Sequence, residues 1–501
     1  MSKLEQHFSK FRLEIIGINS TFKGPYGEVP LVYADWIASG RLYGPIEKRM
    51  QEVIGPMVGN THSESSETGR AMTHAYHLAN KIIKKHVNAN DKDVLITAGA
   101  GMTAVINKLQ RILGLKAPCL VNPLNFEKGI PCERVSREHS DNHPVVFVTH
   151  MEHHSNHTSW LETIADVIVL QPTDDLKVNC DELEEQLDKY KNRKIKIGAF
   201  SACSNVTGLF PPYRELTRIM HRNGGIAFID FAAAAPYVDI DMHPADDPDG
   251  YLDGVVFSPH KFLGGPGTSG VLVFNSKLYH SKIPDNPGGG TVSWTNKWGE
   301  RSYYADIEAR EDGGTPGFLQ AMRTALVIDL KNSMGVASIA EREAELMGKA
   351  LDAFRKIPQL HVLGDNSEKR IGVISFYVED IHHNLIVRML NDRFGIQVRG
   401  GCSCAGTYGH YLLHVTKVQS EKITEMIRHG DLSQKPGWVR ISFHPTMTDK
   451  ELNYILDAVE TVIKNRKEWA EDYYYNDESG EYVHKTWDAP TADDYQEWFR
   501  L

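Results

Sequence analysis

Two hydrophobic rhythms alternate along the first part of this chain. Short, nearly continuous apolar runs at 94–97, 145–149, 167–170, 195–202, 226–230, 254–257 and 270–274 read as strands buried on both faces. Helical periodicity occupies 104–113, 181–190 and 213–223 between them. An earlier helical stretch at 68–87 puts Ala71, Ala75, Leu78, Ala79 and Ile82 on one face. This alternation predicts a mostly parallel sheet covered on both sides by helices. A short strand at 30–35 and a helical pattern at 44–54 precede it. The rhythm lapses into Gly, Trp, Arg and Glu around 291–315, and one long helical pattern then runs from 318 to 356. Strands at 370–377, from 398 and at 438–443, with helices at 381–394 and 449–464, predict a second, smaller α+β unit. The acidic, aromatic tail has no clear period and reads as a strap over the surface. The expected division is an N-terminal arm at 1–30, a large domain at 31–330, a small C-terminal domain at 331–468 and a tail at 469–501.

Composition narrows the classes. A chain of 501 residues exceeds one typical core. Its net charge of −10 argues against a nucleic-acid or anionic-membrane partner. No apolar run approaches the roughly 18 residues of a membrane helix. The opening MSKLEQHFSKFRLE carries charges where an export signal needs an apolar core. Six cysteines (119, 132, 180, 203, 402 and 404) are sparse for this length and fit a reducing compartment. The expectation is a cytoplasmic protein.

The candidate chemistry centres on Ser258, Pro259, His260 and Lys261, placed between two apolar strands and followed by a glycine-rich turn. A lysine at the end of a buried strand is costly as a free ammonium. Condensation with an aldehyde removes that cost, which is how pyridoxal 5'-phosphate (PLP) is held as a Schiff base. Such a cofactor needs a carboxylate at its ring nitrogen, for which Asp230 ends an apolar strand. It needs an aromatic ring to stack on the pyridine, for which His153 is the candidate. Its phosphate needs donors, offered by the turn at Gly101, Met102 and Thr103 together with Ser258 and His260. A substrate carboxylate needs a planar cation, which Arg440 supplies. These residues, with Asn205, fall at predicted strand ends, where ligands bind in open α/β sheets.

The order Gly-x-Thr, Glu-His-His-Ser-Asn, Ser-Asn-Val-x-Gly, Asp at a strand end, Ser-x-His-Lys and Arg-x-Ser resembles the class V aminotransferase family of fold-type I PLP enzymes. Within it, the cysteine desulfurase and selenocysteine lyase branch is most similar. The resemblance implies a large domain built on a mostly parallel seven-stranded sheet. It implies His153 over the cofactor ring, Asn205 and Asp230 on its polar edge, and Lys261 as the covalent anchor and proton carrier. Thr103, Ser258 and His260 are then expected at the phosphate and Arg440 at the substrate carboxylate. It also implies a homodimer with phosphate contacts crossing the interface near 288–291, an amino-acid substrate and a sulfur-acceptor protein as partner.

Two departures from the pattern bear on the reaction. Desulfurases usually carry Asp-x-Ala-Gln, whereas this chain reads Asp230-Phe231-Ala232-Ala233. The stretch Arg399-Gly400-Gly401-Cys402-Ser403-Cys404-Ala405-Gly406 resembles the loop carrying the desulfurase nucleophile, which puts the thiol at Cys404, but with an extra Cys402. Sulfur transfer asks for a mobile thiol activated near Arg399 or His410. A metal site using Cys402, Cys404 and His410 or His414 lacks the usual zinc spacing, and none is expected. The alternative to desulfuration is an aminotransferase, epimerase or other β-lyase that needs no loop thiol.

Overall fold

The computed structural model describes residues 2–61, 63–116, 143–365, 369–477 and 479–501. Cys119 and Cys132 lie outside these. Seven strands form the central sheet: β1 (Asp93–Ala98), β2 (Val145–Val148), β3 (Asp166–Val169), β4 (Lys196–Ser201), β5 (Ile226–Asp230), β6 (Gly254–Phe257) and β7 (Gly270–Asn275). Their spatial order is β1-β7-β6-β5-β4-β2-β3. All pairings are parallel except those of β7, which runs against both β1 and β6.

Strand residues divide by period two between two cores. Val146, Val148, Ile197, Ala199, Phe228 and Val256 pack with the helix Met102–Ile112 and with Trp160. Val145, Phe147, Phe200, Ala227, Ile229 and Val255 pack on the other side with Leu183, Leu187, Leu216 and Ile219, from the helices Cys180–Lys189 and Tyr213–Arg222. Burial on both faces explains why these strands read as unbroken apolar runs rather than alternating ones.

A second sheet has the order β8-β9-β11-β10 and is antiparallel throughout: β8 (Leu360–Val362), β9 (Val373–Val378), β10 (Arg399–Gly401) and β11 (Trp438–Ser442). The strand Val32–Tyr33 pairs in parallel with Ile396–Gln397, which sews the start of the chain to this later unit.

Three elements differ from the sequence reading. The long helix expected at 318–356 is two, Phe318–Met334 and Val336–Phe354, separated by Gly335 at φ +81°. A positive φ ends an α-helix, and glycine adopts it without a Cβ penalty. In the helix Glu67–His86 the buried stripe is Met72, Thr73, Tyr76, Ala79 and Ile83, while Leu78 is 59% exposed. The tail holds a hairpin, Tyr473–Asn476 paired with Glu481–His484.

Candidate active site

Five consecutive or near-consecutive strand ends of the large sheet converge on one cavity of about 220 Å³. The turn after β1 brings Gly101, Met102 and Thr103, the segment after β2 brings His153, and the end of β4 brings Ser201 and then Asn205. Asp230 closes β5, and Ser258, His260 and Lys261 follow β6. The second sheet contributes Arg399 from β10, Cys404 from the loop beyond it and Arg440 from β11. The cofactor, substrate and nucleophile candidates from the sequence all line this one space, and Arg399 lines it too, whereas His410 does not.

Burial sets the protonation states. Asp230 is 5% exposed, and desolvation pushes its carboxyl up to about 6. Its Oδ1 accepts the Ala232 N–H at 2.7 Å. The Lys261 amine is lowered to about 8, first by desolvation, which Asp230 opposes and Arg440 and Arg399 reinforce. His153 is pushed down to about 3 by burial and then by Lys261. Its Nδ1 accepts the Ser155 N–H at 3.1 Å, so the neutral ring carries its proton on Nε2. His260 is likewise lowered by burial, to about 4.

The turn before the helix Met102–Ile112 is shaped for an anion. Gly101 occupies the cap position, and a Cβ there would lie 3.2 Å from Ser258 Oγ and 3.5 Å from His260 Nε2. The same Gly101 carbonyl abuts Gly270, where a Cβ would come within 2.2 Å of it. Ser258 Oγ accepts the Met102 N–H at 2.8 Å, and the Thr103 and Ser155 hydroxyls lie 2.6 Å apart. Backbone N–H groups and the positive helix end thus meet small side chains at one edge of the cavity.

The cysteine loop is tied down rather than loose, against the expectation of a mobile thiol. Ser403 and Cys404 both hold left-handed backbone, φ 49° and 57°, at a cost of about 1 kcal/mol each. Hydrogen bonds offset this: Asn205 Nδ2 donates to the Ser403 carbonyl at 2.8 Å, and the His154 N–H to the Cys404 carbonyl at 2.7 Å. His154 Nε2 in turn accepts the Gly406 N–H at 3.0 Å. The result separates the two thiols: Cys404 is exposed to the cavity, whereas Cys402 packs against the apolar core. His410, one candidate activator, is engaged on both ring nitrogens, with the Gly406 carbonyl at 2.8 Å and Ser420 Oγ at 2.9 Å. No group of three or more His, Cys, Asp or Glu side chains suited to a metal ion occurs among the described residues.

Two acidic residues beside the cavity had no role assigned from the sequence. Asp35 pairs with Arg440 at 2.8 Å and with Arg399 at 3.2 Å. Glu152, 1% exposed, accepts from Thr149 Oγ1 (2.7 Å), the Ser201 N–H (3.0 Å), Ser201 Oγ (2.5 Å) and Asn156 Nδ2 (2.8 Å). It joins the ends of β2 and β4 directly behind His153. Burial lifts its carboxyl to about 7 despite those donors. Its signal in the sequence was its place at the head of the Glu-His-His-Ser-Asn motif, just after an apolar run. Glu152→Ala orphans several buried donors, so a loss of about 3–5 kcal/mol in unfolding free energy is expected from denaturant titration. A loss below about 1 kcal/mol would show that the strand ends hold without it.

A lysine on the turn after β6, a carboxylate ending the neighbouring β5 and an anion cradle after β1 define a fold-type I PLP enzyme. The sequence model of the Aminotransferase class-V family matches residues 132–455. The chain belongs to that family, whose members are PLP-dependent enzymes. It is 28% identical over 383 residues to a probable cysteine desulfurase of Halalkalibacterium halodurans, covering 75% of this chain and 84% of that protein. A probable cysteine desulfurase of Staphylococcus aureus is 27% identical over 380 residues, with 75% and 83% covered. Among solved structures, the apo cysteine desulfurase of Thermococcus onnurineus aligns with a TM-score of 0.69 at 21% identity, covering 91% of this chain and 98% of that one. An Escherichia coli cysteine desulfurase in its S-sulfonic acid form gives 0.67 at 21% identity, with the same coverage. Among the described residues no helix is long and apolar enough to cross a membrane.

Proposed function

We propose that this protein is a PLP-dependent cysteine desulfurase or selenocysteine lyase that takes up the substrate chalcogen on Cys404. The observation that carries the reading is the opening of the Cys404 thiol into the cavity that also holds Lys261 and Arg440. The residues fit the cofactor. At Gly101 even a Cβ would press on Ser258 and His260, a close cradle that suits a phosphate, and the desolvated Asp230 carboxylate suits a protonated ring nitrogen. Arg440 is 2% exposed and its Nε is buried without a partner, which suits a substrate carboxylate. When bound, PLP supplies an electron sink for the bonds at the substrate's α- and β-carbons.

The chain's own groups do the rest. Lys261, with its lowered amine, carries the proton at the α-carbon, and neutral His153 would hold the cofactor ring without adding charge. Arg440 holds the carboxylate. The Cys404 thiolate attacks the substrate sulfur or selenium, the bond from that atom to Cβ breaks, and alanine leaves a persulfide or selenopersulfide on the loop. The acceptor of that sulfur is a second protein reaching the exposed side of the loop. We also place the enzyme in the cytoplasm as a homodimer. Supporting the dimer, the segment at 288–291 leads into the hairpin Val292–Thr295 and Arg301–Tyr303, on which Trp294 and Trp298 are exposed.

Alanine and sulfide release from L-cysteine by wild type, Cys402→Ala and Cys404→Ala tests the reading. Cys404→Ala is expected to lose activity by on the order of a hundredfold or more with its cofactor retained, and Cys402→Ala to keep it. Ala233, standing where desulfurases carry Gln, favours a second reading as an aminotransferase. Full activity of both variants with a keto-acid acceptor would establish that one instead.

A further inference from the structure

We infer that Asp35 is a positioning residue of the site, the anion that lets two arginines stand together and aims Arg440 at the substrate carboxylate; this rests on the proposed amino-acid chemistry. Arg399 on β10 and Arg440 on β11 are direct cross-strand partners. Like charges in that relation repel and would splay apart. Asp35 sits between them, its Oδ1 accepting from Arg440 Nη2 at 2.8 Å and its Oδ2 from Arg399 Nε at 3.2 Å.

The backbone leaves Asp35 little freedom to be elsewhere. Ala34 N–H donates to the Gln397 carbonyl at 2.9 Å, and Ser442 N–H to the Ala34 carbonyl at 2.8 Å. Ile37 N–H donates to Ser442 Oγ at 3.0 Å. Residues 34–37 are thereby fixed beside both arginine strands. Arg440 has one further anchor, Nη1 to the Asn205 carbonyl at 3.2 Å. With Asp35 and Asn205 holding the two Nη groups, the guanidinium plane is fixed, and fixed planes are what carboxylate recognition needs.

Positioning and simple charge make opposite predictions. Removing a negative charge near a cation should strengthen the binding of an anion; removing the group that orients the cation should weaken it. The test titrates holoenzyme with L-alanine, and with L-alaninamide, which lacks the carboxylate, reading the visible band of the bound cofactor. Melting temperature and cofactor content are measured alongside. In Asp35→Asn, L-alanine affinity is expected to fall by about tenfold or more while L-alaninamide affinity stays within about twofold. Asp35→Glu, which keeps the charge, should recover part of the loss. Tighter or unchanged L-alanine binding in Asp35→Asn overturns the inference. So does an equal loss for both ligands accompanied by a lower melting temperature and lost cofactor, which marks a structural role alone. Should wild type release no sulfide from L-cysteine while still responding to L-alanine, the desulfurase reading fails and the Asp35 comparison stands. Should wild type respond to no amino acid, both fail.

Discussion

Lys261→Ala is expected to yield a colourless protein whose amino-acid turnover is reduced on the order of a thousandfold or more. Lys261 lies on the short turn Pro259–Lys261 that ends β6, and its amine is lowered from 10.5 to about 8. At neutral pH that leaves roughly three hundredfold more free amine than an exposed lysine would offer. Burial is the first cause, and the two nearby arginines add to it, so the reactive state follows from the fold and not from a dedicated base. Losing the amine removes the covalent hold on the cofactor and the proton carrier at the substrate's α-carbon together. Lys261→Arg keeps a cation but not a nucleophile and should be equally inactive. Wild type should absorb in the visible and lose that band on borohydride reduction. Equal colour in wild type and Lys261→Ala would sink the assignment, and matching melting curves would show that the variant is folded.

How much of this the sequence disclosed depends on the range of the interaction. Strands such as Val145–Val148, fully buried at every position, announce themselves because the sheet is covered on both faces. The reversal of β7 leaves no such trace, since an apolar run reads the same in either direction. In the helix Glu67–His86, two apolar stripes compete; an alanine-rich one with Leu78 looked like the core face. The partner helix Phe318–Met334 selects the stripe with Met72 and Tyr76. Gly335 breaks a helix that the periodicity of its apolar neighbours continues, because a single glycine inside a helical pattern is usually tolerated.

The site shows the same divide. Lys261, Asp230 and His153 are legible because each sits beside a strand end with a local motif. Asp35 is not, because the arginine that gives it meaning is 405 residues away in sequence. Cys402 and Cys404 cannot be ranked by spacing alone; across two left-handed residues, Ser403 and Cys404, one thiol faces the cavity and the other packs against the core.

Asp230→Asn is expected to make the cofactor-free protein more stable while disabling the enzyme. Burial raises the Asp230 carboxyl from 3.8 to about 6. Below about pH 4 the group is protonated in both folded and unfolded chains and imposes nothing. Between about pH 4 and 6 the unfolded chain ionises while the folded one keeps its proton, so stability falls as pH rises. Above about pH 6 the full penalty stands, roughly two pK steps or about 3 kcal/mol. Asparagine preserves an oxygen for the Ala232 N–H but has no charge to desolvate. Its advantage over wild type should therefore be up to about 3 kcal/mol at pH 8 and should close towards pH 4. Bound cofactor reverses the ranking, because a protonated ring nitrogen pairs with the carboxylate and not with the amide. Turnover should drop about a hundredfold or more, as when a preorganised charge partner is removed. Denaturant midpoints of both proteins without cofactor, at pH 4, 6 and 8, check the first half, and steady-state rates check the second. A stability difference that does not vary with pH would mean that Asp230 ionises as freely in the fold as in water, and a carboxylate of that kind would have no desolvation to be relieved by the cofactor.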